Sequence, residues 1–333
     1  MTTGKKIFLF LLVLFIGIII YLIVRFLINL SNKGKSIGFT LSNTLKCSPD
    51  KQCPKPDFNP DYPTIKKDLS NWDLDVAKYT AQLVYIVEVA AKNKTSPTYP
   101  KNFTEHAKLY NKKSDPMYGA ILTHTNNEED SPDAIWIIFR GTQTPSEWKQ
   151  DLDFKQENNF FDSTKPKSFE QVILDFGVSD DNKKPNAHKG FVDAYMNFRK
   201  LLLDTLTKIN PKKETKIIIG GHSLGAAVST IVGADLKNMG YSSAIYNFAS
   251  PRVGDQNFCD FINDINLPLF RIVNNSDIVP TMPAPVTPNF TDYKNPYQYV
   301  HCGKQFSFTH NWLSVLNNHL MPVYMTGLIE MKI

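Results

Sequence analysis

Apolar positions recur along this chain in several registers, and each predicts a different element. Residues 7–24 are apolar throughout apart from Gly17 and Tyr21, carry no charge, and are prolonged beyond Arg25 by residues 26–30. A helix of eighteen such residues is long enough to cross a hydrocarbon core, and this one is apolar on every face. No small-x-small cleavage pattern is evident, so residues 1–30 read as a single-pass transmembrane anchor rather than a removed signal. Residues 31–70 lose all period. Pro54, Pro56, Pro60 and Pro63 stand there among Ser, Asn and Lys, and the stretch reads as a tether pinned by its last third.

From residue 71 the period changes. Val76, Tyr79, Leu83, Ile86 and Val87 fall near one face of a helix spanning 71–92. Residues 118–125 and 134–139 are apolar runs of strand length, and the acidic turn 126–130 joins them as a hairpin. Phe191, Tyr195, Phe198, Leu202 and Leu206 mark a helix over 190–209. A strand at 215–220, a helix at 226–236, a strand at 243–248, a helix at 255–265 and a strand at 269–273 follow. Continuous apolar strands alternating with helices predict an α/β fold, a mostly parallel sheet with helices on both faces. One domain over 71–333 accommodates it. Sites in such sheets gather at the carboxyl ends of the strands. Residues 155–187 are polar, with 169–176 the one apolar piece, and no element is assigned to them.

Charge sharpens this division. Lys and Arg number 37 and Asp and Glu 32, a net +5. Lys5, Lys6, Arg25, Lys33 and Lys35 account for the whole excess, because the first 35 residues hold no acid and the rest of the chain sets 32 basic against 32 acidic residues. The basic balance therefore belongs to the flanks of the apolar run and argues against a nucleic-acid surface. The basic residues on the two sides of that run nearly tie, so they set no orientation. Asn93, Asn102, Asn274 and Asn289 each open an Asn-x-Ser/Thr acceptor triplet. Among the four cysteines, Cys47–Cys53 with Cys259–Cys302 is the simplest of three pairings, and four separate thiols are the alternative. Both signs favour a lumenal or extracellular, glycosylated domain. No spacing suggests a metal, and no cofactor is implied.

The chemistry lies where strand 215–220 runs into Gly221-His222-Ser223-Leu224-Gly225 and then a helix. Strand, sharp turn and helix with a serine at the apex make a nucleophile elbow. The turn lifts the hydroxyl clear of the sheet, and the helix directs its first N–H groups at any negative charge formed there. A nucleophilic serine needs a base, and the base an orienting acid, in the chain order Ser, Asp, His. Asp277, past the end of strand 269–273, is the acid, with Asp292 its rival; Asp255, Asp260 and Asp264 fall in a helix and read as solvated. His319 is the base, with His301 and His310 its rivals. His222 points away from the serine in such a turn and reads as a packing or hydrogen-bonding residue. Acyl transfer also needs oxyanion donors. The N–H of Leu224 and the N–H and hydroxyl of Thr142, just past strand 134–139, are in place to supply them. Arg140 reads as a buried ion pair bracing that loop rather than as a reader of substrate charge.

Phe139-Arg140-Gly141-Thr142, His188-Lys189-Gly190-Phe191, the elbow at 221–225, Phe248-Ala249-Ser250-Pro251-Arg252-Val253-Gly254, Asp277-Ile278-Val279-Pro280, and His319 with Tyr324 behind it come in order along residues 75–330. Together they resemble the class 3 lipases, a branch of the α/β-hydrolase fold. The resemblance implies Ser223, Asp277 and His319 as the triad and Thr142 and Leu224 as the oxyanion hole. It also implies a lid over 144–150, where Pro145 suits a first helical position and Trp148 is the one large apolar side chain. The expected activity is a serine hydrolase acting on lipid esters through an acyl-enzyme, most simply triacylglycerols or partial glycerides. Phospholipase A1 and carboxylesterase activity are alternatives within the same chemistry. A membrane-tethered binding module on a hydrolase scaffold is the non-enzymatic alternative. The expected partners are thus a lipid ester and, through residues 7–24, the membrane.

Overall fold

Seven strands lie side by side in the order in which the chain makes them. The computed structural model describes residues 58–110, 116–126, 131–142, 156–157, 184–289, 292 and 294–331. In chain order its main elements are α1 (Leu74–Asn93), β1 (Phe103–Leu109), β2 (Gly119–His124), β3 (Ala134–Phe139), α2 (Lys189–Met196), α3 (Arg199–Ile209), β4 (Lys216–His222), α4 (Leu224–Asn238), β5 (Ser243–Phe248), α5 (Gln256–Asp264), β6 (Leu269–Asn274), β7 (Lys304–Phe308) and α6 (Met321–Glu330). They belong to one unit within Lys55–Asn311 and Val315–Ile333. β1 and β3 each pair antiparallel with β2, and every later pair is parallel. The sheet is thus mostly parallel, as the alternation of elements predicts. The apolar run 7–24, Cys47, Cys53, the turn 127–130, the segment 144–150 with Pro145 and Trp148, and residues 158–183 lie outside the described residues. Among the described residues no helix is long and apolar enough to cross a membrane.

Burial explains the strands that the sequence makes obvious. β3, β5 and β6 are buried at all six positions and β4 at six of seven, as parallel strands covered on both faces must be. One apolar cluster joins the sheet to α2, α3, α4 and α5. The other joins it to α1 and α6, with Phe58, Tyr62, Ile65 and Leu69 packed on its margin. The start of α1 is fixed by Asp73, whose carboxylate accepts from the N–H groups of Asp75 and Val76. That cap places the helix three residues later than the periodicity alone predicts. α1 lies directly on β4: a β-carbon added at Gly220 would sit 2.1 Å from Cγ2 of Thr80.

Four findings depart from the sequence reading. The helix expected over 190–209 is two helices. Its apolar spacing continues unbroken across Asn197 and Phe198, but α2 packs on α4 while α3 packs on β1, and one straight rod cannot do both. Tyr195 and Arg199, on either side of the break, both donate to the buried carboxylate of Asp235 in α4. Asp255 is not a solvated residue inside a helix: it caps α5, accepting from Phe258 N at 2.8 Å and from the side chain of Asn186. Asn274, an expected glycan acceptor, is fully buried and donates to the carbonyls of His310 and Asn318; no oligosaccharide fits there once the chain has folded. Strands β1 and β7 were not predicted. Both border the sheet and are half exposed, so they lack a continuous apolar run. Cys259 and Cys302 form a disulfide, which ties α5 to the chain entering β7.

Candidate active site

β4 ends in a bend whose sterics leave little choice of residue. A β-carbon on Gly221 would lie 2.3 Å from the carbonyl oxygen of Gly225, and one on Gly225 would lie 2.3 Å from that of Arg140. Between them Ser223 takes φ 56° and ψ −125°, a conformation that a side chain normally avoids. Its N–H donates to Phe248 O at 2.9 Å, and its carbonyl accepts from Ala226 and Ala227 at the head of α4. Leu224 opens α4, where first-turn N–H groups have no partner within the helix. The end of β3 approaches the same point. A β-carbon on Gly141 would lie 3.3 Å from Cβ of Ser223, so Thr142 is one residue from contact with the serine. Arg140 is fully buried and braces this loop by donating to the carbonyls of Met117, Gly141 and Pro116.

Ser223, Asp277 and His319 come together from three loops. Oγ of Ser223 is 2.8 Å from Nε2 of His319, and Nδ1 of His319 is 2.8 Å from Oδ2 of Asp277. Asp277 is 3% exposed. Its Oδ2 also accepts from the hydroxyl of Tyr324 at 2.7 Å, and its Oδ1 accepts from Val279 N at 2.9 Å. A carboxylate held on both oxygens orients the ring, with the proton on Nδ1 shared with Asp277 and Nε2 left to accept from the serine hydroxyl. Burial pushes the His319 imidazole below its usual range; the bond to Asp277 opposes this, and the neighbouring His222 adds to it. The loop carrying His319 is stitched to the loop carrying Asp277, because Asn318 donates to Ser276 O and accepts from Asn274.

The rivals are placed elsewhere. His301 donates to Pro280 O, and burial, with the nearby Arg271, drives its imidazole down to about 3. His310 faces Glu330 at 3.1 Å. Asp292 is exposed and caps its own turn. His222 does point away from the serine. Its Nδ1 lies 2.7 Å from Oε1 of Glu88 and its Nε2 lies 2.8 Å from the main-chain carbonyl of His319. Sequence reasoning missed Glu88, although the chain carries a signal: an acid set between Val87 and Val89 in the apolar half of α1. Among the described residues no group of three or more His, Cys, Asp or Glu is placed to hold a metal ion.

Residues 136–287 match the family model for Lipase (class 3). A lipase of Rhizomucor miehei is 29% identical over 188 residues, covering 55% of this chain and 44% of that protein. The phospholipase A1-II 1 of Oryza sativa subsp. indica is 31% identical over 183 residues, covering 49% of this chain and 43% of that protein. The chain thus spans less than half the length of these curated relatives. Among solved structures, a Rhizomucor miehei lipase–propeptide complex aligns with a TM-score of 0.50 at 22% identity, over 71% of this chain and 66% of that one. That likeness is one of fold, and with the mostly parallel sheet it makes this an α/β-hydrolase fold.

Proposed function

Since this chain belongs to the class 3 lipase family, its segment 136–287 carrying the match, we propose that it is a serine hydrolase of lipid esters. The observation that carries this reading is the unbroken run of contacts from Ser223 Oγ through both nitrogens of His319 to Asp277, each 2.8 Å long. In the proposed mechanism Nε2 of His319 takes the proton of Ser223 as Oγ attacks the ester carbonyl. The tetrahedral oxyanion is met by the N–H groups of Leu224 and Thr142. Nε2–H then protonates the leaving alcohol, and water hydrolyses the acyl-enzyme by the same proton path.

The proposed substrates are triacylglycerols or partial glycerides. Phospholipase A1 activity is the second reading, favoured by the name of the rice relative. The apolar run 7–24 is proposed to anchor the chain, with the hydrolase unit on the lumenal or extracellular side. The Cys259–Cys302 bond supports an oxidising compartment. The test is a panel of long-chain triglyceride, diglyceride, phosphatidylcholine and short-chain ester, assayed with wild type and Ser223→Ala. Turnover is expected to fall about ten-thousandfold or more in the variant, with thermal melting unchanged. A folded variant that keeps its rate removes Ser223 from the mechanism. Failure of a fluorophosphonate to label the folded wild type points to the binding-module alternative.

A further inference from the structure

Glu88 and His222 take no part in the bond-making steps, yet they touch every loop that does. Oε1 of Glu88 accepts from Nδ1 of His222 at 2.7 Å and from the N–H of Gly141 at 3.2 Å. Gly141 precedes Thr142, His222 precedes Ser223, and Nε2 of His222 donates to the main-chain carbonyl of His319. The ring centroids of His222 and His319 are 4.7 Å apart. Glu88 keeps 18% of its side-chain surface and His222 keeps 6%.

The proton count on His222 is the decisive point. A neutral imidazole has one N–H, but both nitrogens here face acceptors. With Glu88 ionised, both contacts are donor bonds only if the ring carries both protons. Burial works against either charge. The attraction between the two groups outweighs it, holding the Glu88 carboxyl below and the His222 imidazole above their ordinary ranges.

We infer that Glu88 and His222 are positioning residues of this site: a buried carboxylate–imidazolium clamp that fixes the main chain of His319 and the loop of Thr142 against α1. The inference deepens the hydrolase reading and rests on it. The clamp joins the three pieces that must stay in register, namely the oxyanion loop, the elbow and the base. It also places a positive ring beside the base. The groups facing His319 are Asp277 and Ser223, the neutral Tyr324 hydroxyl on the same carboxylate, His222, and Glu88 behind it. Of the clamp's two charges the imidazolium is nearer to His319, so the net effect disfavours a proton there.

Glu88→Gln tests this without changing shape. An amide oxygen at the Oε1 position keeps the bonds to Gly141 and to Nδ1–H, but the ring is then neutral and bare Nε2 meets the carbonyl of His319. If the amide nitrogen takes that position instead, it collides with the N–H of Gly141. Either way one of the three bonds is lost. Full-length wild type and E88Q are compared on a soluble p-nitrophenyl ester across pH 5–9. In E88Q kcat is expected to fall about ten- to hundredfold, KM to stay within about twofold, and the acid limb of kcat/KM to move to higher pH. Equal kcat with an unmoved limb overturns the inference. Should E88Q fail to fold, ¹⁵N-histidine NMR of the wild type decides. One imidazole that stays protonated on both nitrogens after the other histidines have lost their second proton is expected; a full set of rings none of which titrates above the ordinary imidazole range overturns the clamp. A wild type that neither turns over ester nor takes a fluorophosphonate defeats the hydrolase reading instead, and the NMR result still stands or falls by itself.

Discussion

Ser223 holds its left-handed backbone because glycines on both sides leave no room for a gentler turn, and such strain persists only where the surroundings over-determine it. The carboxylate of Asp277, saturated by His319, Tyr324 and Val279, orients a ring whose burial disfavours a second proton. His319 is therefore expected to remain a base below the ordinary imidazole value of about 6.5. In wild type, kcat/KM is expected to hold steady from pH 8 down past that value and to fall only at more acid pH; an acid limb centred at or above about 6.5 in a pH–rate profile contradicts the burial argument. At this scale much was readable beforehand. The elbow pattern is local, and Asp277 and His319 follow it in a fixed order, so chain position alone could nominate them. Glu88 has no such address. It meets His222 across 134 residues, through the docking of α1 on the sheet, and no spacing encodes that meeting.

α1 is an element whose placement matters more than its own stability. It brings Glu88 under the elbow because Gly220 lets it approach, Thr80 filling the space a side chain would occupy. Gly220→Ala is expected to cost about 1–3 kcal/mol, the usual penalty for overpacking, read as a lower midpoint in urea. Thr80→Ala combined with it is expected to recover most of that loss, because the colliding methyl is gone; additive losses in the double variant contradict the direct contact. Elements were legible where burial is two-sided. β3, β4, β5 and β6 are buried along almost their whole length, and their limits were predicted to within two residues. The break between α2 and α3 was not legible, since Phe191, Tyr195, Phe198, Leu202 and Leu206 keep helical spacing through it and the cause lies in Asp235 of another helix. β1 and β7 were hidden for the opposite reason: exposure on one side dilutes their apolar signal.

For the molecule as a whole, the largely buried His301 contributes to the response to acid. His301 takes a proton only near pH 3 when folded, whereas an unfolded chain takes one near 6.5. Between those values the unfolded state binds the extra proton, so stability is present above about pH 6.5 and drains away as pH falls toward 3. Melting temperature is expected to drop across that window, and His301→Asn to drop less steeply over the same range; parallel curves for the two proteins count against His301 as the source. The seven strands in chain order have a different consequence, one that concerns biosynthesis. A nascent polypeptide can extend this sheet edge by edge as it leaves the ribosome, each new strand finding its neighbour already laid down. The serine's bend is complete by residue 225, while the imidazole that faces its hydroxyl arrives almost a hundred residues later. During synthesis the serine hydroxyl therefore exists without its imidazole neighbour, and the elbow stays idle until the segment carrying His319 has been made.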